Sequence, residues 1–187
     1  SINIEGKSEL RGATHPLIPD RIVAATILIG TALTNGEVVV RDIRTDHMED
    51  LLKKFDDIKL PYERTPSSLA IKPHGRIRPT TIQTAPYPGF YTDYQPLFAT
   101  LLTQADGESR IKETLYENRF GYIQELKKMG GNFDIINPHE AICHGPTSLH
   151  GGQIESFDIR AGATLVIVAL SASGKSIIRN IEHIDRG

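Results

Sequence analysis

The sequence has little cysteine and little net charge, and both deficits narrow the classes of protein to which it can belong. A single cysteine cannot form a disulfide framework, so we expect a reducing compartment. The formal net charge of -2 at pH 7 gives no electrostatic reason to expect binding to nucleic acid or to an acidic membrane. No apolar run reaches the ~18 residues of a membrane span, and the polar N-terminal segment has no signal-peptide core. We therefore expect a globular protein of the cytoplasm.

Three similar stretches, which begin at Asp20, Asp93 and Asp158, organise the chain. In each, an aspartate precedes an apolar run, a glycine turn, a β-branched segment and a polar loop. Apolar residues of the second stretch recur at helical spacing between positions 97 and 105, which predicts a helix. Runs 22–33 and 163–170 are apolar nearly all round, and the second stretch favours buried helices there, although their β-branched content also allows buried strands.

Further periodic segments complete each repeat as a βαβαββ unit, with a helix pair on one sheet. The predicted second helices cover residues 46–55 and 121–129, and the predicted strands cover 38–41, 68–72, 110–112, 132–136, 141–144 and 176–179. The predicted fold class is α/β, of the α+β type. We expect units at residues 1–79 and 80–152, and a truncated unit at 153–187.

Asp93 is the first candidate for chemistry. Aspartate is a favoured N-cap residue, and capping is the simplest explanation of Asp20. The loop that leads to Asp93 is broken by Pro86, Pro88 and Gly89, and it is more elaborate than a cap requires. A carboxylate at this position could transfer a proton.

Three arginines at predicted helix starts are the second candidate. Arg160 falls in the first turn of the third apolar helix, where a cation opposes the helix dipole by ~0.3–1 kcal/mol. Arg119 and Arg186 follow Asn118 and Asp185, which we predict to be N-caps. One such arginine is usually a solvated surface residue, but three at equivalent ends indicate a shared anionic ligand.

The remaining motifs predict no chemistry. Cys143 lies in an apolar strand and is expected to be a buried, inert thiol. The histidines near it lack the paired spacing of a zinc site, so we expect no metal. The segment SASGKS, residues 171–176, lacks the first glycine of a phosphate loop and is interpreted as a coincidence.

Four motifs in order, TAPYPGFYTD, ETLYENRF, FDIRAGATLV and HIDRG, resemble the C-terminal part of the bacterial UDP-N-acetylglucosamine 1-carboxyvinyltransferases, which are enolpyruvyl transferases. The resemblance runs from about Ile18 to the last residue. It implies that the units form one lobe of a two-lobe inside-out α/β barrel, and that the N-terminal lobe is missing. It also implies transfer of the enolpyruvyl group of phosphoenolpyruvate to the 3-hydroxyl of UDP-N-acetylglucosamine, the first committed step of peptidoglycan synthesis, without a metal or cofactor. We expect the fragment alone to be inactive.

The resemblance also implies roles for particular residues. Asp93 would contact the sugar and deprotonate its 3-hydroxyl, while Arg119, Arg160 and Arg186 would line the phosphoenolpyruvate site. Asp158 would have a supporting role at the start of the third helix. The family's reactive cysteine belongs to the other lobe and does not correspond to a position in this chain.

A short segment is implied to contact the nucleotide-sugar. Leu115 would make this contact through its backbone, and the ring of Tyr116 would lie near the uracil. Plain core packing is the alternative for both residues. Glu117 would be a supporting residue, or only an ion-pair partner that fixes an arginine.

Other functions remain open at this point. A shikimate-pathway enolpyruvyl transferase would share the fold and the chemistry, although ENRF and HIDRG favour the cell-wall enzyme. A homologue that binds nucleotide-sugar without catalysis is another candidate. Related βαβαββ units occur in RNA-end-processing and RNA-binding proteins, which the net charge of -2 disfavours.

Overall fold

The computed structural model describes residues 2–185. Residues 2–20 contain no helix or strand. The helices are α1 (Arg21–Leu33), α2 (Glu49–Asp57), α3 (Gln95–Leu102), α4 (Gly121–Lys128) and α5 (Ile159–Ser171). The strands are β1 (Val38–Arg41), β2 (Tyr62–Thr65), β3 (Ser68–Ile71), β4 (Thr81–Gln83), β5 (Glu108–Lys112), β6 (Phe133–Asn137), β7 (Glu140–His144), β8 (Gln153–Glu155) and β9 (Ile177–Arg179). Short 3₁₀ turns cover Thr45–Met48, Thr92–Tyr94 and Ile181–His183.

Three sheets share one pattern of strand pairing. The largest has the order β4-β5-β7-β6, in which β4 and β5 are parallel and the other pairs are antiparallel. The first sheet, β1-β3-β2, has the same order and strand directions as β5-β7-β6 of the largest sheet. The third sheet repeats its parallel pair as β8 and β9. The repeated βαβαββ unit is therefore confirmed, and it is complete in the second repeat. The exact boundaries of the units stay a prediction.

Helices α1, α3 and α5 pack against one another. Every residue of α3 is buried, as expected of a helix that is apolar on all sides. The close approach of α1 and α5 depends on Gly30, since a Cβ atom there would lie 3.1 Å from the Cγ2 atom of Ile167. All three runs are helices, as predicted, but only α3 is buried throughout. Val23 and Ile27 of α1 and Leu170 of α5 are exposed by 55%, 44% and 69%.

Three short strands were not predicted from the sequence, namely β2, β4 and β8. The strand β2 was missed because its buried and exposed residues do not alternate, so the sequence shows no period-two pattern there. The start of α2 also differs from the prediction. It begins at Glu49, after a 3₁₀ turn that occupies the predicted first helical residues.

The longest helices within residues 2–185 are α1 and α5, with 13 residues each. A membrane span needs ~20 residues, so no helix in the described part of the chain could cross a bilayer.

Cys143 lies in the middle of the second sheet and is fully buried. It faces the core from β7, in register with Ser109 of β5 and Phe133 of β6. Burial raises the pKa of the Cys143 thiol to about 12.

We predict that the folded protein does not react with thiol reagents at pH 8. At that pH roughly one thiol in 10⁴ is ionised when the pKa is about 12, and the thiolate is the reactive form. The measurement is colour release from Ellman's reagent with and without 6 M guanidinium chloride. Since the chain has a single cysteine, one equivalent should react only after unfolding. Rapid stoichiometric reaction of the folded chain would contradict the prediction.

Candidate functional site

The first turns of α1, α3 and α5 meet at one groove of about 420 Å³. Its polar side chains are Asp20 and Thr26 from the α1 end, Asp93 from the turn before α3, and Arg160 from α5. Helix starts carry a partial positive charge, and Arg160 adds a full positive charge beside the carboxylates of Asp20 and Asp93.

Two of the three repeated aspartates are N-caps. The carboxylate of Asp20 accepts hydrogen bonds from the backbone N–H groups of Ile22, at 2.7 Å, and Val23, at 3.4 Å. Asp158 accepts in the same way from Arg160 and Ala161, both at 2.8 Å. The capping interpretation is thus confirmed for Asp20, and the carboxylate of Asp158 fixes the first turn of α5 that carries Arg160.

Asp93 differs from the other two aspartates. It lies in the 3₁₀ turn before α3, and its side chain caps no helix. Its Oδ1 atom instead accepts a hydrogen bond from Arg160 Nε and lies 4.0 Å from Arg119 Nη1. Within residues 2–185 no hydrogen bond reaches Asp93 Oδ2, and the side chain is 15% exposed. The structure therefore brings the candidate base and two of the candidate arginines together, and it leaves one carboxylate oxygen able to accept another proton donor.

The two arginines are held in different ways. Arg160 is the second residue of α5, in the first turn as predicted, and Asp93 is the negative charge that offsets it there. Arg119 is 16% exposed, and its guanidinium carbon lies 4.3 Å from the ring centre of Tyr116, a cation–π contact. The prediction that Asn118 caps the next helix is wrong, because Asn118 has a left-handed φ of 56° and α4 begins only at Gly121.

The remaining predicted residues surround this cluster or lie outside the described part of the chain. The backbone N–H of Leu115 donates to the carboxylate of Glu113, so only its carbonyl is left for a backbone contact. Tyr116 is 52% exposed. Glu117 is exposed and forms no ion pair with any residue between 2 and 185. Arg186 lies outside the described residues.

Sequence reasoning missed Glu113, which follows β5 and is completely buried. Its Oε1 accepts from the Thr84 hydroxyl, at 2.9 Å, and from the backbone N–H groups of Leu115, at 3.0 Å, and Tyr116, at 3.2 Å. Its Oε2 accepts from the Thr92 hydroxyl at 2.9 Å. A signal was present, because period-two alternation through the buried residues Ser109 and Ile111 puts position 113 on the core side.

The turn that carries Asp93 is also fixed from α1 and α2. The carboxylate of Asp50 accepts from the backbone N–H of Tyr91 at 3.0 Å, and burial raises the pKa of Asp50. The guanidinium carbon of Arg21 lies 4.6 Å from the ring centre of Tyr91. Two helices besides α3 thus set the position of this turn.

Known proteins resemble the whole chain in sequence and most of it in structure. The chain is 39% identical over 186 residues to the UDP-N-acetylglucosamine 1-carboxyvinyltransferase of Halothermothrix orenii, and 41% identical to that of Kosmotoga olearia. All of the chain is covered in both cases, but it spans only 44% of the length of these curated relatives. The crystal structure of the enolpyruvyl transferase NikO from Streptomyces tendae superposes with a TM-score of 0.84 at 26% identity, over 91% of this chain and 41% of NikO.

These matches agree with the fold of repeated units. A further match, to a family model, covers every residue of the chain. The family model of EPSP synthase (3-phosphoshikimate 1-carboxyvinyltransferase) matches residues 1–187. An α/β fold built from repeated βαβαββ units, a superposition on an enolpyruvyl transferase and this full-length match lead to one assignment: the chain belongs to the EPSP synthase family of 1-carboxyvinyl (enolpyruvyl) transferases.

Proposed function

We propose that this chain is one lobe of an enzyme that transfers the enolpyruvyl group of phosphoenolpyruvate to the 3-hydroxyl of UDP-N-acetylglucosamine. The observation that carries the proposal is the meeting of Arg119 and Arg160 at Asp93, which lines the groove between three helix starts together with Arg160. The names of the relatives in Halothermothrix orenii and Kosmotoga olearia support the choice of acceptor. Such an enzyme would take part in peptidoglycan synthesis, in the cytoplasm, where phosphoenolpyruvate is made.

In the proposed reaction, C3 of the enol is protonated and the sugar oxygen, which loses its proton, attacks C2. The tetrahedral intermediate then loses phosphate from C2 and a proton from C3, which restores the double bond of the enolpyruvyl group. Asp93 accepts the proton of the sugar hydroxyl at Oδ2, the oxygen that no described residue engages. Arg119 and Arg160 bind the phosphate and carboxylate of phosphoenolpyruvate, because a planar guanidinium pairs with two oxygens at once and keeps its charge. Arg186 is proposed to complete this arginine set.

The nucleotide-sugar is proposed to lie against residues 115–117. The Tyr116 ring is half exposed and is oriented by Arg119, so one face is available to an aromatic base. The carbonyl of Leu115 is its available backbone group, while Glu117 and Asp158 support the segment and the first turn of α5. The acid that protonates C3, and the rest of both substrate sites, are proposed to come from a second lobe. The 187 residues alone should therefore not turn over the substrates.

The choice of acceptor tests the proposed function directly. We expect the full-length protein that contains this chain to release phosphate from phosphoenolpyruvate with UDP-N-acetylglucosamine but not with shikimate 3-phosphate. The measurement is phosphate release with each acceptor, with a no-acceptor reaction as the control. Turnover with shikimate 3-phosphate alone would indicate the shikimate-pathway enzyme. Binding of UDP-N-acetylglucosamine without turnover would indicate a non-catalytic homologue.

Asp93 is predicted to act as the base. In the full-length protein, Asp93→Asn should lower kcat by ~10²–10⁴-fold, since general-base catalysis contributes about that much. Dissociation of UDP-N-acetylglucosamine, measured by calorimetry, should change much less, because the amide oxygen can keep the contact with Arg160 Nε while the amide N–H donates to the oxygen of the sugar hydroxyl. The matched control is Asp106→Asn, which breaks the surface pair between Asp106 and Arg76. Wild-type kcat in Asp93→Asn would leave Asp93 only a structural role.

We predict that lysine cannot replace Arg160 without a loss of activity. Arg160→Lys should raise the KM for phosphoenolpyruvate and lower kcat, because a point charge cannot replace a bidentate fork. The affinity for UDP-N-acetylglucosamine should change less. Arg64→Lys is the matched control, since Arg64 also pairs with a carboxylate, that of Glu49, and its side chain is 34% exposed against 35% for Arg160. Unchanged phosphoenolpyruvate kinetics in Arg160→Lys would show that Arg160 does not bind this substrate.

A further inference from the structure

We propose that Glu113 is a positioning residue that holds the turn of Asp93 and residues 115–119 in one fixed relation. The inference rests on the proposed function, to which it adds a pair of buried residues, Glu113 and Thr92, that the family motifs did not single out. Neither side chain faces the groove between the helix starts. Both act on the site through the backbone segments that they join.

The first step of the argument is that one carboxylate connects three separate segments. Glu113 accepts from Thr84, which follows β4, from Thr92, which adjoins Asp93, and from the backbone of residues 115 and 116. Oε1 accepts three of these hydrogen bonds and Oε2 accepts the fourth, so both oxygens of the carboxylate are engaged. Any shift of one segment relative to another would therefore break a buried hydrogen bond.

The second step is that the hydrogen bonds of Glu113 are buried and that their partners are themselves fixed. Glu113 and Thr84 are 0% exposed and Thr92 is 5% exposed, so water cannot replace a lost partner. Thr84 is itself fixed, since its Oγ1 accepts from the backbone N–H of Thr114 at 2.8 Å. The backbone N–H of Glu113 donates to His139 of the β6–β7 turn at 2.9 Å. The carboxylate is thus anchored to the sheet, and the two site segments are anchored to the carboxylate.

The third step concerns what the two segments carry. The Thr92 side supplies Asp93, and the Leu115–Tyr116 side leads to Arg119, whose guanidinium lies 4.0 Å from Asp93. The buried network therefore links the two sides that carry these charges, while Asp50 and Arg21 hold the Asp93 turn from its other side through Tyr91. A misplacement of ~1 Å between reacting groups can cost roughly 10²-fold in rate.

The test uses Thr92→Val, Glu113→Gln and Glu113→Ala in the full-length protein. Thr92→Val keeps the shape and removes only the hydroxyl that holds the Asp93 turn. It should lower kcat by at least ~10-fold, with a smaller change in the KM for phosphoenolpyruvate. Glu113→Gln should be much milder, because its amide oxygen still accepts from residues 115 and 116, and its amide N–H can donate to the Thr92 hydroxyl. Glu113→Ala should be severe.

A double-mutant comparison separates positioning from general destabilisation. Once Glu113→Ala has removed the carboxylate, adding Thr92→Val should have little further effect on kcat. The control is Thr100→Val, which removes a buried hydroxyl that bonds the Pro96 carbonyl within α3. It should lower the Tm without changing kcat. Wild-type kcat in Thr92→Val, or additive losses in the double variant, would overturn the proposal.

Hydrogen exchange gives a readout that does not depend on the proposed reaction. In the protein without substrates, the amides of Leu115 and Tyr116 should exchange faster in Glu113→Ala and stay protected in Glu113→Gln. If the protein transfers no enolpyruvyl group, the proposed function fails, but this exchange pattern still tests the network. Equal protection of both amides in the wild type and in Glu113→Ala would overturn the positioning role even in an active enzyme.

Discussion

The mutual packing of α1, α3 and α5 is the constraint on which the rest of the structure depends. Their sequences are apolar on nearly all sides, and each buries an apolar face against the others and the sheets, although Val23 and Ile27 of α1 and Leu170 of α5 stay exposed. The fit is close at Gly30, where an added Cβ atom would lie 3.1 Å from the Cγ2 atom of Ile167. Since the first turns of all three helices line the same groove, the burial that stabilises the fold also brings their dipoles to one place. The electrostatic character of the groove is thus a consequence of core packing.

Helix starts alone would attract anions without distinguishing them, and the side chains at each start are different. Asp20 uses its carboxylate to satisfy its own helix, and so does Asp158, which leaves little of either charge for a ligand. The side chain of Asp93 does not cap α3, because a 3₁₀ turn separates it from that helix. The turn is held instead by the hydrogen bond from Thr92 to Glu113, and by the contacts of Asp50 and Arg21 with Tyr91. In this repeat the aspartate therefore pairs with Arg160 instead of capping its helix, and neighbouring elements hold the turn in place of the cap.

The sequence predicts the buried helices and the repeat well, because both depend on periodic apolar residues that local reasoning can read. It also predicts that Asp93 and Arg160 lie at helix starts, although the ion pair between them joins residues 67 positions apart and follows only from the tertiary fold. The error at Asn118 has a physical cause, since asparagine suits both an N-cap and a left-handed turn. Glu113 was missed because its two threonine partners, Thr84 and Thr92, lie 29 and 21 positions away in the sequence. Only the inward-facing alternation of β5 indicated its burial.

The geometry of Arg160 explains how one side chain can serve both a carboxylate and a substrate anion. Asp93 accepts from Nε, and no described residue between 2 and 185 hydrogen-bonds to either terminal nitrogen of this guanidinium. A guanidinium has five donors in a fixed plane, so the edge opposite Asp93 can pair with two oxygens of an anion while the first contact persists. Binding an anion would then orient Asp93 rather than release it, because both are fixed to one rigid plane. A lysine has a single charged atom and could not hold the two groups at a set angle. If Asp93 is the base as proposed, this coupling would make proton acceptance at Asp93 depend on an anion bound to Arg160.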